Sequence, residues 1–193
     1  MSKTRLEAFS DGVIAILITI MILELKIPED TRVEALRPLV PIFLTYVMSY
    51  VYLGIYWSNH HHMLQVTERV NGAALWANLH LLFWLSLVPF VTGWMGENHV
   101  AALPAAIYGV VLLCAAIAYT ILQMVIIRLE GPHSKLAAAV RRDVKGKISI
   151  VIYIAAISLA FVEPRLSYAL YAMVAAIWLV PDRRIEKAMV SEK

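Results

Sequence analysis

The sequence predicts an all-α integral membrane protein of six transmembrane helices with both termini on the cytoplasmic side. Three observations predict it. Of the 193 residues 61% are hydrophobic and 16% charged, with mean hydropathy +0.71, the balance of a membrane-embedded chain. Six apolar runs alternate with short polar or proline-bearing connectors. Lysine and arginine gather on the connectors of one side. No apolar-poor stretch is long enough for a soluble domain, so residues 1–193 read as one membrane domain.

The first run is the least ordinary. From Gly12 to Leu25 only Thr19 and Glu24 are plainly polar. As a helix, that stretch rises about 21 Å, short of a hydrocarbon core of roughly 30 Å. To span, the helix must take in Arg5 to Asp11, which draws Ser10 and Asp11 toward the membrane. An ionisable side chain there is costly and marks function. Lys3 and Arg5 before an apolar core also suit a signal peptide. The run ends in Glu24-Leu25-Lys26-Ile27-Pro28 with no small-residue cleavage site, so a retained helix is expected.

The second run, Leu39 to Trp57, begins at Pro38 and Pro41, where proline is tolerated. The third extends from Ala73 to Trp94 and the fourth from Val100 to Ile127, the latter long enough to tilt or project. Ile148 to Val162 and Leu166 to Val180 are short and separated by Glu163-Pro164-Arg165. A proline in mid-helix breaks it, so these are two helices and a turn. Trp57, Trp94 and Trp178 lie near span ends, as interfacial aromatics do. Cys114, alone inside a span, forms no intrachain disulfide and packs as a small apolar residue.

Charge sets the orientation. With the N-terminus inside, the inner segments hold Lys3, Arg5, Arg69, Arg128, Lys135, Arg141, Arg142, Lys145, Lys147, Arg183, Arg184, Lys187 and Lys193. The outer segments hold Lys26, Arg32, Arg37 and Arg165. Thirteen against four is a clear positive-inside bias. The net charge of +3 reflects that bias and does not call for a nucleic-acid partner. Between Arg128 and Lys147, Leu136, Val140 and Val144 fall on one line, with Arg141, Arg142 and Lys145 off it. This predicts a short basic helix on the inner leaflet, with a solvated connector as the alternative.

Projected at 100° per residue with Ile16 at zero, Phe9, Gly12, Ile20 and Leu23 fall within about 40° and Thr19 at about −60°. Glu7, Ser10 and Asp11 fall on the opposite side. The first helix therefore has an apolar stripe with one hydroxyl, suited to copies of itself or a pore. Its back face is suited to hydrogen bonds with its own bundle. The third run carries Trp76, His80 and Trp84 on one face, with Asn78 to the side. Such groups need partners at membrane depth. A network in which Trp76, Asn78 or His80 reaches Ser10 and Asp11 is expected. His60-His61-His62 point about 100° apart on a helix and cannot meet one ion together, so a solvated interfacial cluster is expected there.

Arg5…Phe9-Ser10-Asp11, followed by an Ile- and Thr-bearing helix, resembles the signature of the transmembrane protein 175 potassium channels, lysosomal in animals and with short single-repeat members in bacteria. The resemblance implies a homotetramer in which four first helices line a pore and the Phe-Ser-Asp motif packs inward behind them. It implies K⁺ preferred over Na⁺.

Function follows as an expectation. A multi-pass cation channel of the cell membrane needs the bilayer, copies of itself and permeant K⁺, and neither a cofactor nor enzymatic activity. The sequence has no Thr-Val-Gly-Tyr-Gly filter loop. Rings of Ile16, Thr19 and Leu23 would instead form a hydrophobic constriction beside hydroxyls, more leaky to Na⁺ than a carbonyl cage. The alternative is a proton-coupled secondary transporter relaying through Asp11 and His80, although no internal repeat supports it. A metalloenzyme built on the six histidines lacks spaced histidine boxes.

Overall fold

The computed structural model describes residues 2–28, 30–140 and 144–179, apart from the side chain of residue 139. Its regular elements are helical. Helix α1, Lys3–Ile20, passes into a 3₁₀ turn, Met21–Glu24. A second 3₁₀ segment, Val33–Leu39, leads into α2, Val40–Val66. Then come α3, Gly72–Ser86; α4, Val88–Glu97; α5, Ala102–Glu130; α6, Lys135–Val140; α7, Val144–Leu159; and α8, Pro164–Leu179.

Local chemistry sets most of these boundaries. Pro41 occupies the first turn of α2, where its missing N–H costs nothing. Asn71 caps α3 by accepting the Ala74 N–H at 2.9 Å. Helix α5 ends at Gly131, whose φ of 99° suits a residue without Cβ, and Pro132 prevents continuation. The third run is not one helix, as its continuous hydropathy suggests. It breaks at Leu87, because Pro89 supplies no N–H to the Leu85 carbonyl and its ring crowds that turn. The second helix continues well past Trp57 to Val66, carrying the three histidines on regular helix.

Among the described residues, four segments are long and apolar enough to cross a membrane: Lys3–Glu24, Val33–Val66, Gly72–Glu97 (which includes the break) and Ala102–Glu130. Helices α7 and α8 have 16 residues each, about 24 Å of rise. They pack as an antiparallel pair about Pro164. Helix α5 is the central post, against α3, α4, α7 and α8. Helix α1 lies outside it, on α2 and α3 with its far end near α4.

The core between α2, α5, α7 and α8 is built on buried tyrosines whose hydroxyls are satisfied within the bundle, as a bilayer requires. Tyr52 donates to the Tyr171 carbonyl at 2.7 Å, and Tyr171 to the Ala105 carbonyl at 3.0 Å. A Cβ at Gly109 would overlap the Tyr171 hydroxyl, so only glycine lets α8 approach so closely. Ser49 shares a hydrogen bond with Tyr108 and accepts another from Thr92 at 2.7 Å.

Charged groups collect at the two ends. At one, Lys26 meets Glu97 at 2.6 Å, and that hydrogen bond, with the attraction of the carboxylate, raises the Lys26 pKa. At the other, Lys3 donates to the Gln65 carbonyl, and the Glu130 carboxylate accepts the N–H groups of Glu68 and Arg69. The expected basic surface helix is reduced to α6. Its Leu136 is buried in the core against α2 and α5, while Val144 instead begins α7. Arg141, Arg142, Val180, Arg183, Arg184, Lys187 and Lys193 lie outside the described residues.

Candidate pore face and the polar network behind it

The two faces of α1 have different surroundings. Leu6, Ser10, Ile14, Leu17 and Met21 are buried against the bundle. Phe9, Ile16, Ile20 and Leu23 face outward, Ile16 at 59% and Leu23 at 78% exposure. Gly12 sits among them with open space where a Cβ would stand. Arg5 is exposed in the first turn. Thr19 is exposed as well, and its hydroxyl donates back to the Ala15 and Ile16 carbonyls at 3.1 and 2.9 Å. That back-bonding commits the proton and leaves the oxygen's lone pairs available to an ion outside the helix.

Behind the stripe, polar side chains from three helices are bonded in series. Ser10 donates to the Leu6 carbonyl at 2.8 Å and accepts from Asn78 Nδ2 at 2.9 Å. Asn78 Oδ1 lies 2.7 Å from His60 Nε2. Because Asn78 spends its amine on Ser10, its oxygen must accept, and His60 carries its proton on Nε2. All three residues are fully buried. His60 therefore belongs to the core, contrary to the solvated cluster expected for the three histidines. It shares a face with Tyr52, Leu53, Tyr56, Met63 and Leu64, all buried, and that apolar face is the signal for it in the sequence.

Asp11 is held by α2 and not by the third helix. Trp57 Nε1 donates to Asp11 Oδ1 at 3.0 Å, and the Trp57 ring stacks on His61 at 6.0 Å. His61 Nδ1 is 3.3 Å from Glu7 Oε1. Of the three third-helix residues expected in the network, only Asn78 joins it. Trp76 is 75% exposed, and His80 is also exposed, accepting from Trp84 Nε1 at 2.9 Å on the outward face of α3. Trp57→Phe keeps an aromatic ring and removes the donor. It is expected to lower stability by about 1 kcal/mol, read as a drop in thermal midpoint. Asp11→Asn in the Trp57→Phe background should then cost less than it does alone; equal costs would show that the two side chains act independently.

This arrangement defines a polytopic helical membrane protein whose first helix is bonded to its own bundle behind and left without a partner in front. Comparison with known proteins gives the family. The profile of the endosomal/lysosomal potassium channel TMEM175 matches residues 5–89. A potassium channel of Chryseobacterium sp. is 55% identical over 189 residues, covering 98% of each chain. One from Streptomyces collinus is 33% identical over 185 residues, 89% of this chain and 88% of that one. The crystal structure of a lysosomal potassium-selective channel TMEM175 homolog from Chamaesiphon minutus matches with a TM-score of 0.80 at 27% identity, over 93% of this chain and 97% of that one. The chain belongs to the TMEM175 family.

Proposed function

We propose that the protein is a potassium-selective cation channel of the cell membrane, a homotetramer of six-span subunits with cytoplasmic termini, its pore lined by α1. The observation that carries this is the division of α1. Ile16, Thr19 and Leu23 face outward, while Ser10 and Asp11 are bonded behind to α3 and α2. A single stripe encloses nothing, whereas rotation about an axis brings identical stripes together as a wall. A ring of Ile16 offers an ion no hydrogen-bond partner and raises a dehydration barrier. Thr19 oxygens one turn further on replace part of the lost water. Selection by this means is looser than by a cage of carbonyls, so some Na⁺ passes.

The transporter alternative needs Asp11 and His80 in one proton path. Asp11 is bonded to Trp57 and His80 to Trp84, on different helices and with no hydrogen bond between them. The relatives named potassium channels also favour the channel.

The test is recording from purified protein in planar bilayers with K⁺ on one side and Na⁺ on the other. The parent should reverse at a potential that favours K⁺. Thr19→Val keeps the shape, removes the oxygen and is expected to move the reversal potential toward zero with assembly unchanged. A parent without channel currents would sink the proposal. Reversal potentials unchanged in both Thr19→Val and Ile16→Asn would remove α1 from the conduction path.

A further inference from the structure

The outward face of α3 carries two hydrogen-bond donors that no described residue accepts. Trp84 donates to His80 Nε2, so the neutral His80 ring holds its proton on Nδ1, and that N–H has no acceptor among the described residues. The Trp76 indole N–H, one turn away, has none either, and Trp76 is 75% exposed. Phe83 continues the same face at 55% exposure. Covering such groups without supplying an acceptor is costly, so a neighbour that buries this stripe must bring acceptors to it.

The other side of the bundle has the complement. A groove of about 300 Å³ runs along α2 beside α8, with Tyr50, Gly54, Ser58, Asn59, His62 and Trp178 among its lining. The Ser58 hydroxyl and the His62 ring nitrogens make no hydrogen bond among the described residues. Gly54 leaves open space where a Cβ would stand.

Depth allows the two faces to be matched. The His60–Asn78 hydrogen bond places those residues at one level of the membrane. Helices α2 and α3 run in opposite directions with equal rise per residue. Two residues outward from that level lie Ser58 and His80, and two residues inward lie His62 and Trp76. Gly54 is level with Trp84, one residue from Phe83. Rotation about an axis along the membrane normal preserves depth, so these levels hold between copies as well as within one.

We infer that the Trp76–His80–Phe83 face of α3 seats in the α2 groove of an adjacent copy. There His80 donates to Ser58, the Trp76 indole donates to His62, and Phe83 packs over Gly54. This rests on the ring proposed above and specifies its subunit boundary. The contact is head-to-tail, with different patches on the two sides, as a closed ring requires. It gives both donors an acceptor without altering the network behind α1.

Cysteine pairing tests it. In a Cys114→Ala background, Ser58→Cys with His80→Cys is expected to form intersubunit disulfides under mild oxidation in membranes, giving a ladder of covalent oligomers. Ser58→Cys with Val151→Cys, on exposed α7, is expected to give none. A nitroxide on Phe83→Cys should show low accessibility to lipid-dissolved oxygen. Chemical cross-linking of the otherwise unmodified protein reports the ring independently. An oligomer by that measure with no 58–80 ladder and an oxygen-accessible nitroxide at 83 would overturn the boundary and leave the ring. A protein that is monomeric at every concentration would overturn both.

Discussion

Asn78→Leu is expected to destabilise the protein by about 1–3 kcal/mol, seen as a lowered thermal midpoint and loss of oligomer. Leucine resembles asparagine in size and fits the buried site, so little of this comes from packing. The cost comes from His60, whose Nε2–H loses its acceptor at a fully buried position. Ser10 suffers less, since its own proton remains on the Leu6 carbonyl. Adding His60→Leu should restore part of the loss, because removing both partners of a buried hydrogen bond is cheaper than orphaning one. A double variant less stable than Asn78→Leu alone would show that His60 contributes chiefly through its shape. Conductance per channel in the surviving assembled fraction should be close to the parent's, because none of these groups faces the stripe.

Ile16→Asn is expected to act in the opposite sense, raising single-channel conductance several-fold with little change in melting. Ile16 is 59% exposed, so the bundle loses few contacts when it is replaced. In a ring of copies, the amide wets a surface that otherwise forces ions to shed water. A lower dehydration barrier discriminates less between K⁺ and Na⁺, so the reversal potential under bi-ionic conditions should approach zero. Unchanged conductance with a lowered melting point would mean that Ile16 packs against protein and not around an ion path.

Much of α1 is legible in the sequence. Its faces follow from a fixed angle per residue, and the outward set of Phe9, Gly12, Ile16 and Leu23 agrees with the projection. The partners of its back face are not legible, because they depend on which helices pack together. Asp11 reaches Trp57 across a helix contact that no local periodicity encodes. His60 departs from expectation because three adjacent histidines read as one polar cluster, although only His60 lies on the buried face of α2. The break before Pro89 follows from proline chemistry alone, but hydropathy continues across it and masks it. The short helix expected on Leu136, Val140 and Val144 is divided for the reverse reason. Its periodic residues serve two elements, with Leu136 in α6 and Val144 in α7.

The switch of α1 to 3₁₀ geometry at Met21 changes the spacing of levels along the proposed conduction axis. A 3₁₀ residue rises about 2 Å, against about 1.5 Å in an α-helix. From Thr19 to Leu23 the climb is therefore about 7.5 Å, where an unbroken α-helix would give about 6 Å. Residues three apart also eclipse in this geometry, so Leu23 stands directly beyond Ile20. The hydroxyl level and the outer apolar level are thus separated by more than two water-to-water spacings of about 2.8 Å. In the proposed pore, an ion leaving Thr19 would enter an antechamber in which part of its hydration shell could re-form before it passed Leu23.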